Sequence, residues 1–169
     1  GDIRASRAIT IASTLDVSGR ADQTLTLLSG HSLTGHGTLN GSLIVPTGGT
    51  VAPGADLPGV GTLIINGNAT LGGTNVMRLN KPTLTSDVLY VSGTLNYGGT
   101  LVLTNLSGTL AEGDSFQLFT AGVYNGTFAA IVPATPKPGL TWNTNNLNSG
   151  ILSISGPPDS GECMPLVIQ

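Results

Sequence analysis

The stretch from Val51 to Thr74, VAPGADLPGVGTLIINGNATLGGT, places two prolines in a loop, then short apolar runs, then a double glycine. Shifted by 26 residues, the text returns: LIINGNATLGGTNVM (63–77) is echoed by LYVSGTLNYGGTLVL (89–103). Leu63, Ile65, Gly67, Leu71, Gly73, Thr74 and Val76 fall on Leu89, Val91, Gly93, Tyr97, Gly99, Thr100 and Val102. Gly126-Thr127 extends the series 27 residues after Gly99-Thr100. A weaker copy puts Gly37-Thr38 some 36 residues before Gly73-Thr74, the excess being assigned to the loop with Pro46, Pro53 and Pro58. Repeat units are therefore expected near 63–88, 89–115 and 116–142. A repeat of this length marks architectures whose units cannot bury their apolar face alone.

Working outward, the remaining text is of the same kind. AITIASTLDVSG, QTLTLLSG, GSLIVPTGG, TNVMRLN and GILSISG are short β-branched and leucine-rich runs bounded by Gly, Asn and Pro, which predicts strands and tight turns. No stretch carries apolar residues at helical spacing, and glycine recurs too often for helix interiors. The prediction is an all-β parallel β-helix (β-solenoid) over residues 1–155, followed by an extended proline-containing tail, 156–169. Coils of roughly 20–27 residues, stacked about 4.8 Å apart, would give six or seven coils and a rod about 30 Å long. Leu, Ile and Val would fill the core, glycines would turn the corners, and aligned Thr and Asn would form ladders. Phe116, Phe119, Tyr124, Phe128 and Trp142 bring most of the aromatic mass late, as a C-terminal cap would. An antiparallel β-sandwich is the alternative, with Asn125-Gly126 as a hairpin turn.

Composition narrows the function classes. Of 169 residues, 39% are hydrophobic but only 9% are charged, against about 25% in ordinary soluble domains. The surface must be polar through hydroxyls and amides, which suits an extracellular wall, fibre or coat. The six cations, Arg4, Arg7, Arg20, Arg78, Lys81 and Lys137, are scattered, and the net charge is -3, so nucleic acid is not an expected partner. No apolar run approaches the about 20 residues that span a bilayer, so no membrane insertion is expected. The N-terminus lacks a basic start and apolar middle, so an export signal is expected to have been removed or to lie elsewhere. The single Cys163 precludes an internal disulfide; a small apolar filler, an intermolecular disulfide, and lipidation or thiol chemistry are its readings.

At APGADLPGVGTLIINGNATLGGT the chain resembles the passenger repeats of bacterial autotransporters and related large surface proteins, with an Ala-Pro-Gly loop, a Gly-Thr-Leu strand and a glycine-punctuated coil. Ser86-Asp87, Gly113-Asp114-Ser115-Phe116 and Leu140-Thr141-Trp142-Asn143-Thr144 follow in the order found at the C-terminal β-helix end of such proteins. The resemblance covers roughly residues 25–155. It implies an exported, right-handed β-helical stalk or display scaffold of bacterial origin. The tail GPPDSGECMPLVIQ matches no sorting signal of that group.

Candidate chemistry is sparse. His31 and His36 are five apart but lack further ligands nearby, so they read as corner residues rather than a metal site. Asp56, Asp87, Glu112 and Asp114 would be needed for a glycosidase pair or a calcium site, yet Asp56 sits in a Pro-Gly loop and Asp87 and Asp114 each precede a strand, where Asp caps turns. No Gly-Xaa-Ser-Xaa-Gly elbow is present, and no helix follows the glycine-rich stretches to cradle a phosphate. No cofactor, metal or catalytic residue is expected. Tyr97, Tyr124 and Trp142 are the residues a sugar-stacking platform would use. Asn40, Asn68, Asn105 and Asn125 head Asn-Xaa-Ser/Thr triplets, which chance readily supplies here. The leading expectation is a non-catalytic extracellular structural protein whose partners are copies of itself. Its solenoid ends would assemble it, with Leu166, Val167 and Ile168 adding a strand to a neighbour. The alternative is a glycan-binding or adhesin module of a larger secreted protein. A β-helical polysaccharide lyase is disfavoured by so few charged groups.

Overall fold

The structure, a computed structural model, describes residues 7–157. It is a parallel β-solenoid of five coils with a small antiparallel cap. Each of the first three coils lays one strand on each of three faces. The first coil holds β1 (Ala8–Ile11), β2 (Thr14–Asp16) and β3 (Thr24–Thr26). The second holds β4 (Ser32–Gly35), β5 (Thr38–Asn40) and β6 (Ser42–Val45). The third holds β7 (Thr50–Pro53), β8 (Thr62–Asn66) and β9 (Ala69–Leu71). In the fourth, β10 (Thr74–Asn80) and the short β11 (Thr85–Ser86) precede β12 (Val88–Tyr97), which runs across two faces and pairs with both β8 and β9. The fifth has β13 (Thr100–Asn105), β14 (Ser115–Gln117) and β15 (Phe119–Gly126), and β16 (Ala130–Val132) begins a further turn. The chain ends in β17 (Thr141–Asn143) and β18 (Ile151–Ser155), which form an antiparallel sheet with β14.

Parallel pairing through every coil excludes the sandwich, because hairpins would pair sequential strands antiparallel. Alternation sets the inward face: in β10, Asn75, Met77 and Leu79 are buried while Thr74, Val76, Arg78 and Asn80 are partly exposed. Inward residues then stack coil on coil. Leu43, Ala69 and Leu95 form one column, and Leu63, Leu89 and Phe119 another. All six are at most 1% exposed. Outward positions carry the expected ladders: Asn66 donates to Asn40 at 2.8 Å, and Thr10 and Thr34 share a hydrogen bond at 3.0 Å.

The 26-residue alignment is the register of the molecule. Leu63 and Ile65 pair with Leu89 and Val91, and Thr74 and Val76 with Thr100 and Val102. Its extensions need correction. Gly126 lies opposite Tyr97, and Ala129, whose N–H donates to Gly99, takes the place expected of Gly126. The cause is a longer fifth coil: Leu89 pairs with Phe119, 30 residues on, whereas Leu63 pairs with Leu89, 26 on. Asn125-Gly126 accordingly ends a parallel strand and makes no hairpin. Thr74 pairs with Thr50, so Gly49-Thr50 is the earlier copy; Gly37-Thr38 opens a different face, with Thr38 beside Ile64. With Gly49-Thr50 as the earlier copy the spacing to Gly73-Thr74 is 24 residues, so the excess length assigned to the loop with Pro46, Pro53 and Pro58 disappears, and Pro53 itself ends β7. Five coils replace the six or seven expected, since the chain after β16 is spent on the cap, and the stacked backbone is about 24 Å long. The third unit, 116–142, begins inside β14, part of the cap sheet rather than of the solenoid faces.

The aromatic residues close the C-terminal end. Tyr97 meets Phe119 edge-on at 5.1 Å and Phe128 at 4.9 Å, separations in the range where aromatic pairs attract beyond their burial. The 3-10 turn Leu147–Ser149 packs against β15, and Leu118 and Phe119 both donate to the carbonyl of Gly150. Phe116, Leu152 and Ile154 of the cap sheet belong to the same apolar core as the coils.

Candidate functional site

The charged residues come together where the sequence reading scattered them. Arg78 points outward from β10, and the loop of residues 54–61 lies across it. Its Nε donates to Asp87 Oδ2 at 2.7 Å and its Nη2 to Asp87 Oδ1 at 2.9 Å. Nη1 donates to the Leu57 carbonyl at 2.9 Å and Nη2 also to the Gly54 carbonyl. Asp87 is 1% exposed and accepts further bonds from the N–H groups of Gly61 and Arg78. The Ala-Pro-Gly loop and the Ser-Asp strand start, separate in sequence, are thus two ends of one clamp. His36 Nδ1 meets Asp56 Oδ2 at 2.8 Å, tying the same loop to the second coil. Lys81 donates to Asp114, whose other oxygen accepts from the Ala111 N–H at 2.8 Å.

The predicted carboxylates are therefore not brought together as a pair. Asp56, Asp87 and Asp114 each face a separate basic partner, and Glu112 is exposed. His31 and His36 are held at different places, His31 on the N-terminal mouth and His36 on the loop. Among the described residues no group of three or more His, Cys, Asp or Glu could hold a metal ion, and no helix is long and apolar enough to cross a membrane. One polar residue in the core was missed. Asn75 is fully buried between Val51 and Leu101; its amide donates to the Gly73 and Thr100 carbonyls at 3.2 and 3.4 Å, and its Oδ1 has no partner. The strict alternation of β10 was the signal that could have placed both Asn75 and Arg78.

Two ends of the solenoid remain as candidate surfaces. At the N-terminal end, β1, β2 and β3 each pair on one side only among the described residues. Inward-facing Ile9 and Leu15 are only partly buried there, and two shallow cavities of about 360 and 350 Å³ open on this coil. At the C-terminal end, the edge of β15 is blunted: the Ala121 N–H donates to the Tyr124 hydroxyl at 2.8 Å, and Gly150 takes the N–H groups of Leu118 and Phe119. A cavity of about 250 Å³ lies here, with Tyr97, Tyr124 and Phe128 in its wall. Burial, and then the neighbouring Tyr124, hold the Tyr97 hydroxyl protonated far above its ordinary range; it donates to the Leu147 carbonyl at 2.8 Å. Trp142 does not join Tyr97 and Tyr124 at this cavity; its indole N–H donates to the Pro133 carbonyl at 2.8 Å.

The four Asn-Xaa-Ser/Thr asparagines have their side chains engaged. Asn40 accepts from Asn66, and Asn68 from the Thr94 N–H; Asn105 donates to Gly108 and Asn125 to Asn96. Leu166, Val167, Ile168 and Cys163 lie outside the described residues. In comparison with known proteins, the chain matches no family model, no curated protein and no solved structure.

Proposed function

We propose that this chain is a non-catalytic, extracellular structural protein that associates with further copies of itself through its N-terminal coil. The observation that carries the reading is the contrast between the two ends. An uncovered solenoid end presents unpaired backbone groups and the rim of an apolar core, which is a template for added strands. Among the described residues the first coil has that form at β2 and β3, and Ile9 and Leu15 stand partly uncovered beside it. The last coil carries aromatic rings, a tight turn and an antiparallel sheet instead. Assembly would then be polar, the open end receiving the partner. The charge-poor surface supports close packing between copies, since few ionic groups would have to lose water. The likeness of the Ala-Pro-Gly repeats to surface passenger proteins points to the same setting, an exported scaffold.

The test is sedimentation velocity and negative-stain microscopy of the wild type, of Leu15→Lys and of Ser149→Lys. A lysine at the open rim should keep the protein monomeric while circular dichroism still reports a folded solenoid. Lysine on the capped end should leave association intact. Deleting residues 158–169 separates the sources of the added strand: loss of assembly assigns it to the tail, and retained assembly to contact between first coils. A wild type that is monomeric at every concentration, or a folded Leu15→Lys that assembles normally, overturns the reading.

A further inference from the structure

We infer that the cavity at the C-terminal cap is a binding site for a neutral pyranose ring, such as the terminal residue of an uncharged glycan. The inference does not depend on self-association, because it concerns the opposite end of the molecule. Three aromatic residues, Tyr97, Tyr124 and Phe128, line one side, with the Tyr97 and Tyr124 rings 6.1 Å apart at 31°. Their hydroxyls are committed within the protein, Tyr97 to the Leu147 carbonyl and Tyr124 to the Ala121 N–H. What the aromatic wall offers is therefore apolar ring surface.

Ile131 and Leu147 add to the apolar lining, and most of the polar part comes from one segment. Thr144, Asn145 and Asn148 contribute to it, all exposed, and none of their side chains has a hydrogen-bond partner among the described residues. Asn145, Asn146 and Asn148 differ in this from the other asparagines, and Asn145 and Asn148 line the cavity. Asn40, Asn66, Asn68, Asn75, Asn80, Asn96, Asn105, Asn125 and Asn143 all engage their amides in ladders, turns or the cap. Of the three unspent amides, the two beside the aromatic residues are donors and acceptors free to meet a ligand. An amide can accept from one sugar hydroxyl and donate to the next, while the C–H face of the ring lies on the aromatic side.

Size and charge fix the ligand class. No charged residue lines the cavity, so an acidic or amino sugar would bring its charge in unpaired. About 250 Å³ lies just below the volumes of drug-sized pockets and suits one ring rather than an extended chain. A purely apolar ligand would leave the rim amides facing it without partners.

Amide NMR spectra decide the matter, recorded while titrating methyl α-glucopyranoside, methyl α-mannopyranoside and methyl β-galactopyranoside, with cyclohexanol as the apolar control. At least one glycoside should shift the amides of residues 124–131 and 144–148 saturably in the millimolar range, and cyclohexanol should bind more weakly. The double variant Asn145→Ala/Asn148→Ala should lose about tenfold in affinity, the scale of one or two hydrogen bonds, with its melting temperature unchanged. The inference is overturned if no glycoside moves those amides, if cyclohexanol binds as well, or if the folded double variant binds like the wild type.

Discussion

At the scale of single residues, the corners show why glycine recurs with the coil. Gly99 has φ +53, and a Cβ built on it would stand 2.0 Å from the Gly73 carbonyl oxygen. Gly73, its equivalent one coil below, has no positive φ; its Cβ would meet the carbonyls of Gly49 at 2.3 Å and Pro46 at 2.4 Å. Equivalent positions thus share close backbone approach, and only one adds a left-handed conformation. Gly113 separates the two effects, with φ +83 and nothing within 4 Å. Gly113→Ala should cost about 1 kcal/mol, the conformational penalty alone. Gly99→Ala should cost about 3 kcal/mol or more, because rigid backbone must move as well. Chemical denaturation of the two variants measures the difference, and equal losses would mean that the corner relaxes freely. Gly73 and Gly99 were legible because the text repeats them 26 residues apart. The Gly126 and Gly37 matches misled for a physical reason. Counting residues is not counting positions around a coil, and inserted or missing corner residues break the proportion.

At the scale of elements, the loop from Gly54 to Gly61 owes its shape to one guanidinium. Arg78 takes two of its carbonyls, and Asp87 takes its last N–H. Removing Arg78 would leave the Asp87 carboxylate buried without its counter-charge, a defect that typically costs about 3–5 kcal/mol. Arg78→Ala should therefore lower stability by roughly that amount, and hydrogen exchange in residues 54–61 should accelerate beyond the global effect. Arg78→Met/Asp87→Asn should recover part of the loss, since the carboxamide keeps an acceptor for Gly61 and buries no charge. An Arg78→Ala variant as stable as the wild type would show that water already satisfies the carboxylate. Nothing in the one-dimensional text joins Arg78 to Asp87, nine residues apart. Strand alternation turns Arg78 outward, but only the inserted loop makes that outward face an interior. The cap cavity was hidden for a related reason. NTNNLNSG has no period, so its asparagines read as polar filler until the antiparallel return of β18 sets them beside rings from β12 and β15.

At the scale of the whole molecule, a solenoid is nearly one-dimensional, and each coil is held by the coils above and below it. Its stability should therefore vary along the axis and not be shared evenly. The second, third and fourth coils have neighbours on both sides, and the fifth has the cap, whose Phe116, Leu152 and Ile154 continue the core. The first coil has one neighbour among the described residues, and its inner residues Ile9 and Leu15 are the least covered of its core. Amide hydrogen exchange should accordingly rank β1–β3 as the least protected strands. Opening there should be easier by about 2 kcal/mol or more than in β8, β10 and β12. β15, although last on its face, should behave like an interior strand, because Gly150 and the Tyr124 hydroxyl occupy its backbone groups. The same measurement bears on assembly. Whatever docks on the open coil supplies its missing neighbour, so protection of β2 and β3 should rise with protein concentration while that of β15 stays constant. Uniform protection along the axis would mean that the five coils open as one unit. Weakest protection at β15 would mean that the cap does not hold the end it covers, and the polarity on which the assembly reading rests would be lost.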